Sequence, residues 1–264
     1  MTSPTGTAAA DRFGRYPSLR GRVVLVSGGA TGLGAEFVTQ LVRQGAAVGF
    51  VDIDEEHGRA LVADLAGIAE QDPVFVRADV RDIDGYTRAI AAIAARLGPI
   101  GVLVNNAADD QRHETAEVDV EQWDTLMAVN LRHQFFAVQA VTAGMRGLGG
   151  GSVINLGSIA VHAQFVGMPA YITAKAGIEG LTHTLARELG PDRIRVNCVA
   201  PGWVMTQRQL AARLTPEAEA LIEQNQCLPD RVQPADVARL VLWLAADDSN
   251  GVTGQVLAVN GGWV

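Results

Sequence analysis

Tyr171 and Lys175 stand four residues apart in YITAK, the spacing that places two side chains on one helical face. A phenol titrates near 10 and is a poor base at neutral pH, but an ammonium beside it favours the phenolate and brings it into range for proton abstraction. Ser158 lies thirteen residues earlier, one Gly beyond an apolar run, where its hydroxyl can reach the same crevice. Asn130 is an unusual polar residue between Val129 and Leu131 in AVNLRH. The four together suit general-base chemistry on an oxygen.

A second group suits a dinucleotide. SGGATGLG, residues 27 to 34, follows an apolar run and precedes a helical pattern. Glycines at 28, 32 and 34 allow a tight turn and close approach of backbone to a pyrophosphate, whose charge the helix N-terminus favours. Asp52 ends the next apolar run, eighteen residues beyond Gly34, where a carboxylate can accept hydrogen bonds from the adenosine ribose and repel a 2′-phosphate. No Arg or Lys replaces it or follows closely, so NAD is expected rather than NADP. An oxidised nicotinamide also favours the Tyr171 phenolate. Asp52 as a simple strand-end turn residue is the other reading.

The elements that must position these groups alternate along the chain. Apolar, β-branched runs at 22–28, 46–52, 73–79, 100–106, 152–158, 194–202 and 255–262 end in Gly, Asn, Asp or Ser, as strands covered on both faces do. Helical patterns occupy 32–44, 55–67, 85–97, 121–147, 170–189 and 235–246, the last opened by Pro234. This predicts an α/β fold, a doubly wound parallel Rossmann sheet of seven strands with helices on both faces. Residues 203–230 break the rhythm and are expected to form a substrate loop or lid with a short helix. Residues 1–15 read as a flexible tail, and 16–264 as a single domain.

Composition narrows the function classes. The 264 residues are 48% hydrophobic and carry a net charge of −8, which predicts a globular chain with neither nucleic acid nor membrane as partner. Cys198 and Cys227 show no metal-ligand spacing, so no metal is expected, and no signal-type or membrane-spanning apolar run occurs. A cytoplasmic protein is expected.

The ordered motifs SGGATGLG, Asp79-Val80, NNAA at 105–108, Asn130, Ser158, YITAK and PGWVMT at 201–206 closely resemble the short-chain dehydrogenase/reductase family over residues 20 to 264. The resemblance implies that Tyr171 is the catalytic base, that Lys175 lowers its pKa and holds the nicotinamide ribose, that Ser158 orients the reacting oxygen and that Asn130 maintains a water-linked proton relay. It implies cofactor contacts from Gly28, Thr31, Gly32, Leu33 and Gly34, from Asp52 and Ile53, and from Asp79 and Val80 beside the adenine. Asn106, Ala107, Ala108, Pro201, Gly202, Val204 and Thr206 are expected to complete the set with Tyr171 and Lys175. Ala108 stands where the family usually has Gly, adding one methyl beside the cofactor. A homotetramer formed through the helices at 121–147 and 170–189 and the C-terminal VNGGWV is also implied.

NNAADDQRH, NLRH, GSIAVH, QRQ at 207–209 and QCLPDRVQPADVA resemble a subgroup of bacterial aldose 1-dehydrogenases that oxidise D-xylose, L-arabinose or galactose to the lactone. A sugar presents many hydroxyls, and telling epimers apart needs buried donors and acceptors. Asp109, Gln111, His113, His162, Gln164 and Arg208, with Ser158 and Tyr171, are the candidates for substrate contact. Arg112 and Arg132 also suit surface ion pairs, and His113 and His133 suit ordinary structural hydrogen bonding. The alternatives are an NAD(P)H-dependent reductase of a 3-oxoacyl or sugar-acid ketone, and a non-catalytic dinucleotide-binding regulator.

Overall fold

The seven apolar runs form one parallel sheet, β1 (Val23–Ser27), β2 (Ala47–Asp52), β3 (Val74–Arg77), β4 (Val102–Asn105), β5 (Gly151–Leu156), β6 (Ile194–Pro201) and β7 (Val256–Val259), ordered β3-β2-β1-β4-β5-β6-β7. The computed structural model describes residues 13–68 and 70–264; most of the expected 1–15 tail lies outside the described residues. Of that tail, Phe13 is described, its ring 4.0 Å beneath the Arg239 guanidinium.

Helices α1 (Gly32–Arg43), α2 (Glu55–Leu65), α3 (Ile83–Leu97), α4 (Val120–Met127), α5 (His133–Gly147), α6 (Pro169–Leu189), α7 (Gln207–Ala212), α8 (Pro216–Asn225) and α9 (Pro234–Ala245) supply the crossovers and the lid. Alternation along each strand divides the core. Val24 and Val26 of β1 pack with Phe37 and Leu41 of α1 and Val237 and Val241 of α9, while Leu25 faces Ile90 and Ile93 of α3 and Val141 of α5. Each such side chain, fully buried, stabilises the fold by about 1.5–3 kcal/mol. Aspartates begin several helices, Asp54, Asp82 and Asp119 accepting from the backbone N–H of His57, Gly85 and Gln122.

Strand order reverses between β1 and β4, so their carboxyl ends open a crevice. Two local features differ from the expected elements. The 121–147 pattern is not one regular helix, because a π turn at Ala128–Arg132 separates α4 from α5. The 203–230 segment holds two helices rather than one, each capped by a threonine: Thr206 accepts from Gln209 N–H and Thr215 from Ala218 N–H.

Candidate active site

The turn after β1 is built for close approach. Gly28 has φ +65°, and a Cβ there would meet Ala107 Cα at 2.8 Å; a Cβ on Gly34 would fall 1.8 Å from Gly28 O. Asn106 closes the turn from β4, its amide donating to Ser27 O (3.0 Å) and Gly28 O (2.8 Å), while Ser27 Oγ accepts from the N–H groups of Asn106 and Ala107. Thr31 is the N-cap residue of α1, Leu33 packs on the core, and Thr206 Cγ2 stands 3.9 Å from where a Gly32 Cβ would be. The glycine turn and PGWVMT therefore face each other across the crevice. At its back, Gly202 N–H donates to Val259 O, Val204 is buried, and a Cβ on Gly202 would meet Asn260 Cα at 2.7 Å.

Asp52 lies at the edge of this cradle, its carboxylate accepting from Ala30 N–H (2.9 Å) and Asp54 N–H (3.1 Å). Beside it Ile53 is 59% exposed, an apolar wall suited to an adenine, and Val80 is buried. Arg81 grips both oxygens of Asp79 and holds that carboxyl below its usual range. The sheet also brings Arg77 into register with Asp52, its Nε donating to Ile53 O, a neighbour invisible from sequence spacing.

The expected proton-handling residues meet at the ends of β5 and α6. Ser158 follows β5, accepts from Ala160 N–H at 3.1 Å and hydrogen-bonds Tyr171. Lys175 is buried, donates to Leu156 O at 2.7 Å and places Nζ 5.4 Å from the centre of the Tyr171 ring. Burial pushes Tyr171 up to about 12; the Ser158 hydrogen bond opposes this, Asp110 adds to it and Arg208 opposes it. Burial pulls Lys175 down to about 8, against Cys198 and Asp110.

Asn130 is fully buried in the π turn. Its Oδ1 accepts from Asp109 N–H (2.9 Å) and its amide donates to Asp109 O and Leu126 O (both 3.0 Å), so the side chain clamps the start of the 109–113 loop. Other polar groups that fix this region carry no short-range sequence signal. His133 Nε2 donates to Ala107 O at 3.1 Å, because a carbonyl can only accept, and burial with Lys175 nearby drops its pKa to about 3, keeping it neutral. Asn105 donates to Asn155 and Asn155 to Thr182 (both 3.0 Å), a buried ladder from β4 through β5 to α6.

The candidate substrate residues separate into groups. Asp109 and Arg208 meet at 3.6 Å, and Asp109 Oδ1 accepts from Gln111 N–H, with the Gln111 side chain exposed. His113 N–H donates to Gly167 O, and both its ring nitrogens are buried without a hydrogen-bond partner. Trp203 Nε1, which the sequence reading did not single out, is in the same condition; its ring meets Phe165 edge-on at 6.4 Å, and Phe165 meets Trp263 at 5.5 Å. His162 is held elsewhere: it is half-exposed and bonds Glu179 at 2.9 Å, two turns of α6 or about 12 Å along the axis from Tyr171. Gln164 is exposed with φ +55°, an uncommon conformation for a side chain other than Gly. Asp110, also missed from sequence, sits between Arg208 (2.6 Å) and Gln209 (3.0 Å).

A family model described as enoyl-(acyl carrier protein) reductase matches residues 28–264. The chain is 50% identical to a D-xylose 1-dehydrogenase of Caulobacter vibrioides over 248 residues, covering 94% of this chain and 98% of that one. The chain belongs to the short-chain dehydrogenase/reductase family. A probable galactose dehydrogenase of Rhizobium meliloti is 45% identical, with 94% and 97% coverage. Among solved structures, a 3-oxoacyl-[acyl-carrier protein] reductase with bound NAD from Brucella melitensis has a TM-score of 0.87 at 30% identity, covering 100% of this chain and 98% of that chain. As in other members of this oxidoreductase family, the glycine cradle, the carboxylate at its edge and the apolar wall fit a nicotinamide dinucleotide.

Proposed function

We propose that this protein oxidises the anomeric hydroxyl of an aldose to the aldonolactone with NAD as acceptor. The observation that carries this reading is the 50% identity, spanning nearly all of both chains, to a D-xylose 1-dehydrogenase. Groups on the substrate side support it: His113 Nδ1 and Nε2 and the donor Trp203 Nε1 are buried without partners, the condition of a site whose ligand brings several hydroxyl oxygens.

A bound dinucleotide would supply the hydride acceptor for C1 and a positive charge beside the site. Tyr171, a phenol raised to about 12 by its own surroundings, needs that charge together with Lys175 and Ser158 to take the anomeric hydroxyl proton at neutral pH. Ser158 orients the reacting oxygen. Lys175 would hold the nicotinamide ribose, and Asn130, through the π turn, would keep a water-linked path by which the proton leaves. Asp52, its carboxylate oriented by the N–H groups of Ala30 and Asp54, discriminates against a 2′-phosphate, which favours NAD.

The homotetramer proposed here uses α4 through α6, where Trp123 and Phe135 stay part-exposed and Leu131, Phe136 and Leu181 line an apolar groove with Gly177. A cytoplasmic location accords with two free thiols, Cys198 and Cys227. Among the described residues no helix is long and apolar enough to cross a membrane. The test is initial-rate measurement over pentoses, hexoses and 3-oxo compounds with NAD(H) and NADP(H). Preferred turnover of an aldose with NAD is expected; preferred reduction of a 3-oxo substrate would overturn the reading.

A further inference from the structure

We propose that Asp110 is a positioning residue. It pins the first turn of α7 to the loop after β4 through Arg208 and Gln209, and so fixes where a carboxylate and a guanidinium stand relative to the Tyr171 hydroxyl. The proposal rests on Tyr171 acting as the base. Asp109 is the more exposed of the two aspartates, 42% against 25%, and spends Oδ1 on Gln111 N–H. Asp110 turns inward and meets one element with both oxygens: Oδ2 accepts from Gln209 Nε2 at 3.0 Å, and Oδ1 forms an ion pair with Arg208 at 2.6 Å that lacks hydrogen-bond geometry.

The placement matters because of what flanks each end. On one side, Asn130 locks the backbone of Asp109, and His133 holds Ala107 O, so the base of the loop cannot shift freely. On the other, Gln209 N–H donates to Thr206, the residue facing the glycine turn across the crevice. Asp110 therefore joins the cofactor-side cap of α7 to the substrate-side loop.

The groups that act on the Tyr171 hydroxyl come from three segments, Ser158 after β5, Asp110 after β4 and Arg208 on α7, while Lys175 on α6 stands against the Tyr171 ring. Asp110 and Arg208 act on it with opposite sign. Arg208 is 58% exposed, so the bridge adds little to global stability, and variants should fold.

The experiment measures the pH profile and the kcat and KM of aldose oxidation for Asp110→Asn, Arg208→Gln, the double variant and Gln209→Leu. Removing the carboxylate should move the rising limb to lower pH, and removing the guanidinium should move it to higher pH. The double variant should return near the parent limb with a raised KM. Gln209→Leu keeps both charges, so it should leave the limb in place and raise KM. A bridge that merely stabilises the fold would move both single variants in the same direction or neither, and either result overturns the proposal.

The same titration read by NMR of ¹³Cζ-labelled tyrosine, with NAD bound to supply the charge that the Tyr171 phenolate needs, requires no substrate. The chain has three tyrosines, and the Tyr171 signal is the one lost in Tyr171→Phe. If no aldose is turned over but the Tyr171 resonance still shifts in opposite directions in the two single variants, the aldose reading fails and the Asp110 proposal stands. If aldose turns over and the resonance does not shift, the reverse holds.

Discussion

Replacing Lys175 by Met should make the protein more stable at neutral pH while removing its activity. Lys175 is 1% exposed, and its ammonium donates to Leu156 O. Burial holds its pKa at about 8 against the usual 10.5, a difference equivalent to about 3 kcal/mol. Since the folded-state value lies below the unfolded one, the folded chain binds fewer protons between them, and stability rises with pH from about 8 to 10.5. Below about 8 the full cost of burying the charge is present. Met is of similar length and uncharged but leaves Leu156 O without its donor, a loss of about 1 kcal/mol. The variant should therefore be about 2 kcal/mol more stable at pH 7, an advantage that disappears towards pH 10. Urea unfolding of the dinucleotide-free protein at pH 7 and pH 9.5 measures both. A variant no more stable than the parent at pH 7, or a difference independent of pH, would refute the reasoning.

Three further outcomes test the site. Gly34→Ala puts a Cβ 1.8 Å from Gly28 O, where real contacts stay beyond 3.0 Å, so the turn must part by more than an ångström; calorimetry should show dinucleotide binding lost, and unchanged affinity sinks the cradle. Asp52→Ser removes the carboxylate at the cradle edge and leaves Arg77 in register beside it, so the kcat/KM preference for NAD over NADP should fall by about 10-fold or more, and an unaltered ratio contradicts the assignment. Tyr171→Phe should lower aldose-dependent NADH formation by about 10²–10⁴ while dinucleotide affinity holds; retained turnover removes Tyr171 as the base.

The sheet was legible because each strand is a continuous apolar run covered on both faces, and the glycine turn and YITAK because their spacing is itself the geometry. The π turn was not, since Asn130 within it finds its partner in Asp109, a residue 21 positions away. Tertiary partners also decided the substrate side. His162 lies on the right loop by sequence, yet Glu179 draws its ring along α6. Asp110 and Asp109 are indistinguishable in the string, and only the position of α7 separates them. Trp203 reads as part of a cofactor motif, and its unpartnered indole N–H emerges only when Phe165 is folded against it. The capping threonines at 206 and 215 were readable, Thr215 being followed by a proline and an acidic first turn, so the two lid helices were within reach of the sequence.

In the proposed reaction hydride leaves C1 of an aldose. D-xylose deuterated at C1 is incubated with the protein and NAD, and the nicotinamide and sugar products are identified by NMR and mass spectrometry. Deuterium is expected on the reduced nicotinamide in a one-to-one ratio with aldonolactone, and the same for any other aldose that is turned over. Deuterium retained on the sugar while NADH accumulates, or no reduction with any aldose, would contradict it.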